Sequence, residues 1–283
     1  MNFPTIINIK NLKIKPVKKR GQNFLIDKNI AEKTVSQGLI CSDDTVIEIG
    51  PGPGSLTYYL VNTGAQIFSF EIDDNLYKLL NNSLINDLNS QIINKDILTI
   101  DFKDYTSRSG NNILMGSIPY SITTPILLKF LEQCGLFKKA VFILQKEVAV
   151  RLCAEPGNKD YGIFSVYCRT YLNASIIQTI PAQCFYPKPK IDSAIIELIP
   201  VKDRIWNSDD EKLFRNVVRT SFSKRRKTLG NCLKDFLYKK QIDHGMFKIR
   251  AEETGIDLSR RAETLSVDEF YRLTNITKNM LNI

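Results

Sequence analysis

Val46-Ile47-Glu48-Ile49-Gly50-Pro51-Gly52-Pro53-Gly54-Ser55-Leu56-Thr57 decides the fold class. A β-rich apolar run feeds a loop with glycine at every second position, and residues 56–61 follow an apolar helical pattern. Glycines let the backbone approach a ligand closely, and a helix N-terminus supplies N–H donors and a positive dipole end. The G-x-G-x-G spacing differs from the dinucleotide G-x-G-x-x-G. Glu48, just ahead of the first glycine, would repel a pyrophosphate and suits a cationic amino group instead. The loop therefore points to a nucleoside carrying an amino-acid tail rather than to NAD.

Working outward, residues 67–73 read as the next strand, with Glu71 19 residues beyond Gly52. An acid at that distance in a nucleotide-binding βαβ unit accepts the ribose hydroxyls. Residues 92–98 read as a third short strand whose Asp96 can accept from an adenine amine. The buried run 112–115 ends in Gly116-Ser117-Ile118-Pro119-Tyr120. Here a short polar side chain can accept a hydrogen bond. Pro119 stiffens the turn and, lacking an N–H, leaves the Ile118 carbonyl without a local competitor. Tyr120 offers a flat face. Together they suit a planar amino-bearing ring such as a nucleobase, and they equally suit a strand-to-helix turn with a packed tyrosine. Open α/β sheets bind ligands at the carboxyl ends of their strands, and four such ends in succession carry ligand-type residues.

The flanking segments complete an α/β domain. In residues 21–27, Gln22 and Asn23 offer polar contacts and Asp27 suits a helix N-cap. Residues 141–145 read as a fifth strand, 146–154 as a helix and 156–162 as a flexible loop that orders on substrate. Residues 174–180 and 193–199 read as a closing pair of strands. Between them, Phe185, Lys188 and Lys190 sit in a proline-stiffened loop. Aromatic plus lysine suits base stacking with phosphate contacts, and a rigid loop with Phe185 in the core fits as well. From residue 209 the pattern is helical. Residues 223–227 are expected to open a helix with Leu229, Leu233, Phe236 and Leu237 on its apolar face, and 258–271 to form two short helices. The expected division is a basic, weakly structured arm over 1–20, a ligand-binding domain over 21–202 and a small helical domain over 203–283.

At 283 residues with 43% hydrophobic and 24% charged side chains, the chain can bury a sizeable core. No apolar run approaches the roughly 18 residues that span a membrane. Lysines interrupt the N-terminal apolar residues, so no signal peptide is read. The six cysteines form no C-x-x-C pair, which disfavours a disulfide framework or zinc site and fits a reduced cytoplasm. A single histidine, His244, excludes His-based metal clusters and Ser-His-Asp catalysis. Net charge is +9, with +6 in residues 1–20 and +8 in residues 215–240, leaving the remainder at −5. Two basic patches on a mildly acidic chain suit a polyanionic partner, with Arg225, Arg226 and Lys227 as candidate nucleic-acid contacts.

The motifs GQNFLID (21–27), EIGPGPGSLT (48–57), FEID (70–73), KDIL (95–98), the IPY strand end, QKEVAVRL (145–152), PGNKDYG (156–162), FYPKPKIDS (185–193) and SFSKRRKTLGNCL (221–233) stand together in this chain. In that combination it resembles the KsgA-type small-subunit rRNA adenine N6-dimethyltransferases, relatives of the erythromycin-resistance rRNA methylases. The resemblance implies a class I AdoMet-dependent methyltransferase fold, α/β and Rossmann-like with a seven-stranded, mostly parallel sheet, and a small C-terminal helical domain. By position it implies that Asn23, Leu25, Gly50, Glu71, Asp96 and Ser117 contact S-adenosyl-L-methionine without a metal. Ser117, Ile118, Pro119 and Tyr120 would face the target adenine, with Phe185 on its other side. The implied substrate is 16S rRNA in the assembling small subunit, and the implied protein is a cytoplasmic monomer. The family usually carries asparagine where this chain has Ser117. An assembly factor with reduced catalysis and a 23S rRNA methylase conferring macrolide resistance are the alternatives.

Overall fold

The computed structural model describes residues 1–11, 14–17, 20–84, 87–201 and 208–281. These fall into two compact units: residues 1–149 with 172–200, and residues 150–171 with 201–283. The expected boundary at 202/203, and Lys13, Lys18 and Lys19 of the basic arm, lie outside the described residues.

The first unit is organised by hydrophobic runs too apolar for anything but a covered sheet. It contains, in chain order, α1 (Ile6–Asn11), β1 (Phe24–Leu25), α2 (Lys28–Ser36), β2 (Thr45–Ile49), α3 (Thr57–Leu60), β3 (Gln66–Phe70), α4 (Asp74–Ser83), β4 (Ser90–Ile93), β5 (Asn112–Ser117), α5 (Thr123–Gln133), β6 (Lys139–Gln145), β7 (Leu172–Ile180), β8 (Phe185–Tyr186) and β9 (Ser193–Pro200). All five residues of β2 are buried, as a parallel strand covered on both faces requires. The seven strands run in the order β4-β3-β2-β5-β6-β9-β7. The first five are mutually parallel, β9 runs antiparallel to β6, and β7 runs antiparallel to β9. Chain order reverses between β2 and β5, and that switch point is where an open α/β sheet binds its ligand. Alternate residues Val46, Ile67, Ile113, Met115, Val141, Ile143 and Ile195 share one apolar layer with Ile30, Ala31 and Val35 of α2. Asp27 caps α2 through the Ile30 N–H.

Local details sharpen or correct the expectations for this unit. Within the expected arm, residues 6–11 are helical, and Phe3 and Ile9 are 4% and 1% exposed. Phe3 joins the main core and Ile9 packs with Phe24 and Leu76, so apolar burial overrides the run of cations. The helix after the glycine loop is one turn, Thr57–Leu60, within the expected 56–61. The third strand ends at Ile93, and Asp96 instead caps a short 3₁₀ turn, Ile97–Thr99.

The second unit is helical. It takes α6 (Lys146–Cys153) from Val150 onward, α7 (Ile163–Tyr171), α8 (Ser208–Ser221), α9 (Leu229–Lys239), α10 (His244–Glu253) and α11 (Val267–Met280). Val217, Val218, Leu233, Leu237, Phe247, Phe270 and Leu273 are buried. Residues 223–227 do not open a helix; they form the turn before Thr228, the N-cap residue of α9. Residues 258–271 are not two short helices. A 3₁₀ turn at Ala262–Thr264 precedes one long helix that starts at a Ser266/Glu269 capping box. The loop 156–162 is likewise already held: Gly157 N–H donates to the Glu263 carbonyl at 2.7 Å, Arg225 donates to the Lys159 carbonyl, and Tyr161 is 4% exposed.

Candidate active site

A cavity of about 360 Å³ opens at the carboxyl ends of β2, β3 and β5. Asn23, Leu25, Gly50, Glu71, Asp96 and Ser117 line it, as do Ile118, Pro119, Tyr120 and Phe185. All ten side chains or backbone positions singled out for cofactor and target are thus brought together. Lys188 and Lys190 are exposed and stand outside its wall. Arg225, Arg226 and Lys227 are exposed in the second unit.

The glycine loop is shaped from both sides. Gly52 has φ +59° and Gly54 φ +98°, conformations that favour glycine, and a Cβ on Gly54 would collide with the Met1 and Leu80 side chains. Ser55 Oγ donates to the Leu25 carbonyl at 2.5 Å, and Gly50 N–H donates to the Phe70 carbonyl at 3.0 Å. Glu71 follows at the end of β3. Its carboxylate accepts the Gly52 N–H at 3.0 Å on one oxygen and the Asp73 N–H at 2.9 Å on the other. It is 4% exposed, and burial raises its pKa. Backbone bonds fix the plane of the group while its remaining lone pairs stay available to hydroxyls.

Glu48 is held by side chains. It is 1% exposed, and its oxygens accept Thr57 Oγ1 at 2.9–3.0 Å and Ser69 Oγ at 2.7 Å. Burial pushes its pKa up to about 7, against the lowering effect of those hydroxyls. Those bonds tie it to the core and pin the loop, and it also lines the cavity. Gln22 and Asn23 are also committed. Gln22 accepts the Val17 N–H at 2.7 Å and donates to Asp73, and Asn23 donates to the Gly21 carbonyl at 3.2 Å.

On the far wall, Asp96 Oδ1 accepts the Leu98 N–H at 2.9 Å. Lys129 holds the same turn by donating to the carbonyls of Leu98 and Ile100. Gly116 lets β5 approach β2: a Cβ there would lie 2.6 Å from the Ile49 carbonyl oxygen. Ser117 pairs in register with Ile143, and Ile118 N–H donates to the Ile143 carbonyl at 3.0 Å. The Ile122 N–H and the Thr123 hydroxyl both turn to the Pro119 carbonyl, not to that of Ile118. Tyr120 is half-buried, and its hydroxyl lies 2.9 Å from Ser193 Oγ. Burial raises the Tyr120 pKa. Phe185 is 4% exposed and belongs to the main core, so it contributes wall rather than a free face.

Four residues here escaped the sequence reading: Ser193, Lys129, Arg20 and Asp73. Arg20 pairs with Asp73 at 2.5 Å, and Asp73 also caps α4. Ser193 and Asp73 close the motifs FYPKPKIDS and FEID, which was the available signal. Among the described residues no group of three or more His, Cys, Asp or Glu could hold a metal ion, and no helix is long and apolar enough to cross a membrane.

A parallel sheet open at its switch point, a glycine turn and an acid ending the adjacent strand define a class I, Rossmann-like methyltransferase fold. The chain belongs to the ribosomal RNA adenine dimethylase family, whose model matches residues 14–279. It is 40% identical over 281 residues to the ribosomal RNA small subunit methyltransferase A of Clostridium botulinum (strain Loch Maree / Type A3), covering 99% of this chain and 100% of that one. The Clostridium perfringens (strain SM101 / Type A) protein of the same name is 38% identical, over 94% and 92% of the two chains. In fold it is similar to a dimethyladenosine transferase from Plasmodium falciparum (TM-score 0.78, 24% identity, 92% and 98% coverage). It is also similar in fold to the 23S rRNA methyltransferase ErmE (TM-score 0.69, 23% identity, 90% and 100% coverage).

Proposed function

We propose that this enzyme dimethylates the N6 amines of two adjacent adenines in the 3′-terminal hairpin loop of 16S rRNA, in the cytoplasm, during small-subunit assembly. The observation that carries the reading is the convergence of Glu71, Asp96 and residues 117–120 on one cavity, in a chain of this family.

The residues present fit S-adenosyl-L-methionine. Gly50 and Gly52 leave room for close backbone approach, Glu71 has its plane fixed for two ribose hydroxyls, and Asp96 keeps one oxygen free of the hydrogen bond that caps its turn. Asn23 and Leu25 complete the same wall. When bound, the cofactor supplies an electrophilic methyl group on a sulfonium. An adenine N6 is a poor nucleophile because its lone pair is delocalised into the ring. The Ser117 hydroxyl and the Ile118 carbonyl accept hydrogen bonds from the amine and stabilise the charge developing on nitrogen. Tyr120, tethered through Ser193, supplies the flat face beneath the base, with Phe185 closing the wall opposite. Flipping a loop adenine out of its stack brings it within reach. The proton leaves a cationic nitrogen, so no strong base is needed. Exposed Arg226 and Lys227, with Lys188 and Lys190, are the candidate phosphate contacts; Arg225 contributes less, being paired with Glu263 at 3.7 Å.

The test is incubation with AdoMet and unmethylated small subunits, followed by nucleoside analysis. Dimethyladenosine in 16S rRNA is expected. Subunit binding without it would favour an assembly factor, and methylation of 23S rRNA instead would favour a resistance methylase. Ser117→Asn is expected to raise the dimethyl-to-monomethyl ratio, because the longer amide reaches the amine of the singly methylated product. Ser117→Ala is expected to lower kcat about tenfold.

A further inference from the structure

Helix α9 buries Leu229, Cys232, Leu233 and Leu237. At about 100° per residue, Asn231, Lys234 and Tyr238 (i, i+3, i+7) fall on the opposite face. All three are exposed, and Tyr238, at the centre of that face, is 83% exposed. Its ring forgoes the free energy of burial that Phe247 and Phe270 of the same unit obtain.

Cations in and next to this helix are unsatisfied too. Elsewhere in the unit many cations meet carboxylates, as Arg215 does with Glu211, Lys248 with Glu252, Arg250 with Glu253, Arg260 with Glu269 and Lys278 with Asp210, while among the described residues exposed Lys159, Arg219 and Lys224 do not. Among the described residues, Arg226, Lys227, Lys234, Lys239 and Lys240 have no such partner and are exposed. Asp235 is the one acid within residues 223–240.

We propose that the solvent face of α9 is a stacking platform for an unpaired RNA base, with Tyr238 as the aromatic surface and Lys234, Lys239 and Lys240 on the flanking phosphates. Unpaired cations beside a bare ring meet the two demands of single-stranded nucleic acid, charge along the backbone and a π-face for a base. A protein partner would need a contiguous apolar patch, whereas the neighbours of Tyr238 on this face are Asn231, Lys234 and Asp235. The inference rests on RNA being the substrate and adds a second, non-catalytic contact with an unpaired segment.

The full-length protein is titrated against two fluorescein-labelled RNAs, a hairpin with a single-stranded loop and a blunt duplex of equal length. Tyr238→Ala is expected to weaken hairpin binding about tenfold and leave duplex binding unchanged, with Tyr238→Phe retaining wild-type affinity. Replacing Lys234, Lys239 and Lys240 by Gln weakens both and flattens the salt slope by about two. Calorimetric titration with AdoMet monitors folding of every variant. Equal affinity of wild type and Tyr238→Ala for the hairpin would overturn the proposal, as would equal loss on both RNAs. Loss of binding to assembling subunits with hairpin binding intact would assign the face to a protein and overturn it as well. Absence of methyl transfer by the wild type defeats the proposed function alone, because the hairpin titration is read without it.

Discussion

The carboxyl ends of β2 and β3 are neighbours in one sheet, and the adjoining positions carry Glu48 and Glu71, yet the two glutamates, both lining the cavity, are held by different donors. Glu48 is met by side-chain hydroxyls from Thr57 and Ser69 inside the core. Glu71 is met by backbone N–H groups of Gly52 and Asp73 at the cavity wall. The hydroxyls favour the charged form of Glu48, but burial outweighs them and pushes its pKa up to about 7. Two fixed N–H donors favour the charged form and aim it, so Glu71 keeps a directed face toward a ligand. Residue type and strand position do not assign a role; the donors that reach the oxygens do.

Removing Glu71 should produce the largest effect. Glu71→Ala deletes the acceptor for two ribose hydroxyls and strands the Gly52 and Asp73 N–H groups. With charged hydrogen bonds at about 1.5–3 kcal/mol each, the expected loss is roughly 4 kcal/mol, near a thousandfold in AdoMet Kd by calorimetry. A tenfold loss or less would mean that the glycine loop, not the carboxylate, carries cofactor affinity, and the contrast between the two glutamates would collapse.

Glu48 should show the reverse pattern. Its folded pKa is about 7 against an ordinary value of 4.5. The folded state therefore holds a proton that the unfolded chain has released, and stability declines as pH rises from about 4.5 to about 7, then levels off. The shift corresponds to about 3 kcal/mol. Glu48→Gln keeps an acceptor for one hydroxyl and carries no charge. It should remove that pH dependence and raise Tm at pH 8, with AdoMet affinity changed less than threefold. A large loss of AdoMet affinity would return Glu48 to the ligand, as its sequence position suggested.

The pattern of success and failure in the sequence follows the same physics. The glycine loop, Glu71 and the Gly116–Tyr120 strand end were legible because each is set by local spacing along a strand and its turn. The use of Glu48 was not, because its donors lie nine and 21 residues away and only the register of β2 with β3 brings Ser69 to it. The N-terminal segment misled because its lysines dominate the composition, whereas Phe3 and Ile9, two apolar residues, decide its burial. Helix α11 was cut short because its last turns, residues 272–280, are mostly polar and stay helical through the burial of Leu273, Ile276 and Thr277.

The smallest effect isolates the target base from the cofactor. Ser193 is fully buried at the start of β9, and its hydroxyl meets that of Tyr120, 73 residues earlier, at 2.9 Å. Among the described residues it makes no hydrogen bond to Glu71 or the glycine loop, so it should orient the Tyr120 ring without affecting cofactor affinity. Ser193→Ala removes one neutral hydrogen bond, worth about 1 kcal/mol, and should lower kcat about fivefold with AdoMet Kd unchanged. Tyr120→Phe removes the same bond from the other side. If the bond is the whole of the effect, the double variant should be no slower than either single one. Additive losses would mean that the two hydroxyls act separately. A fall in AdoMet affinity in step with kcat would move Ser193 from the base side of the cavity to the cofactor side, extending to β9 the division already drawn between β2 and β3.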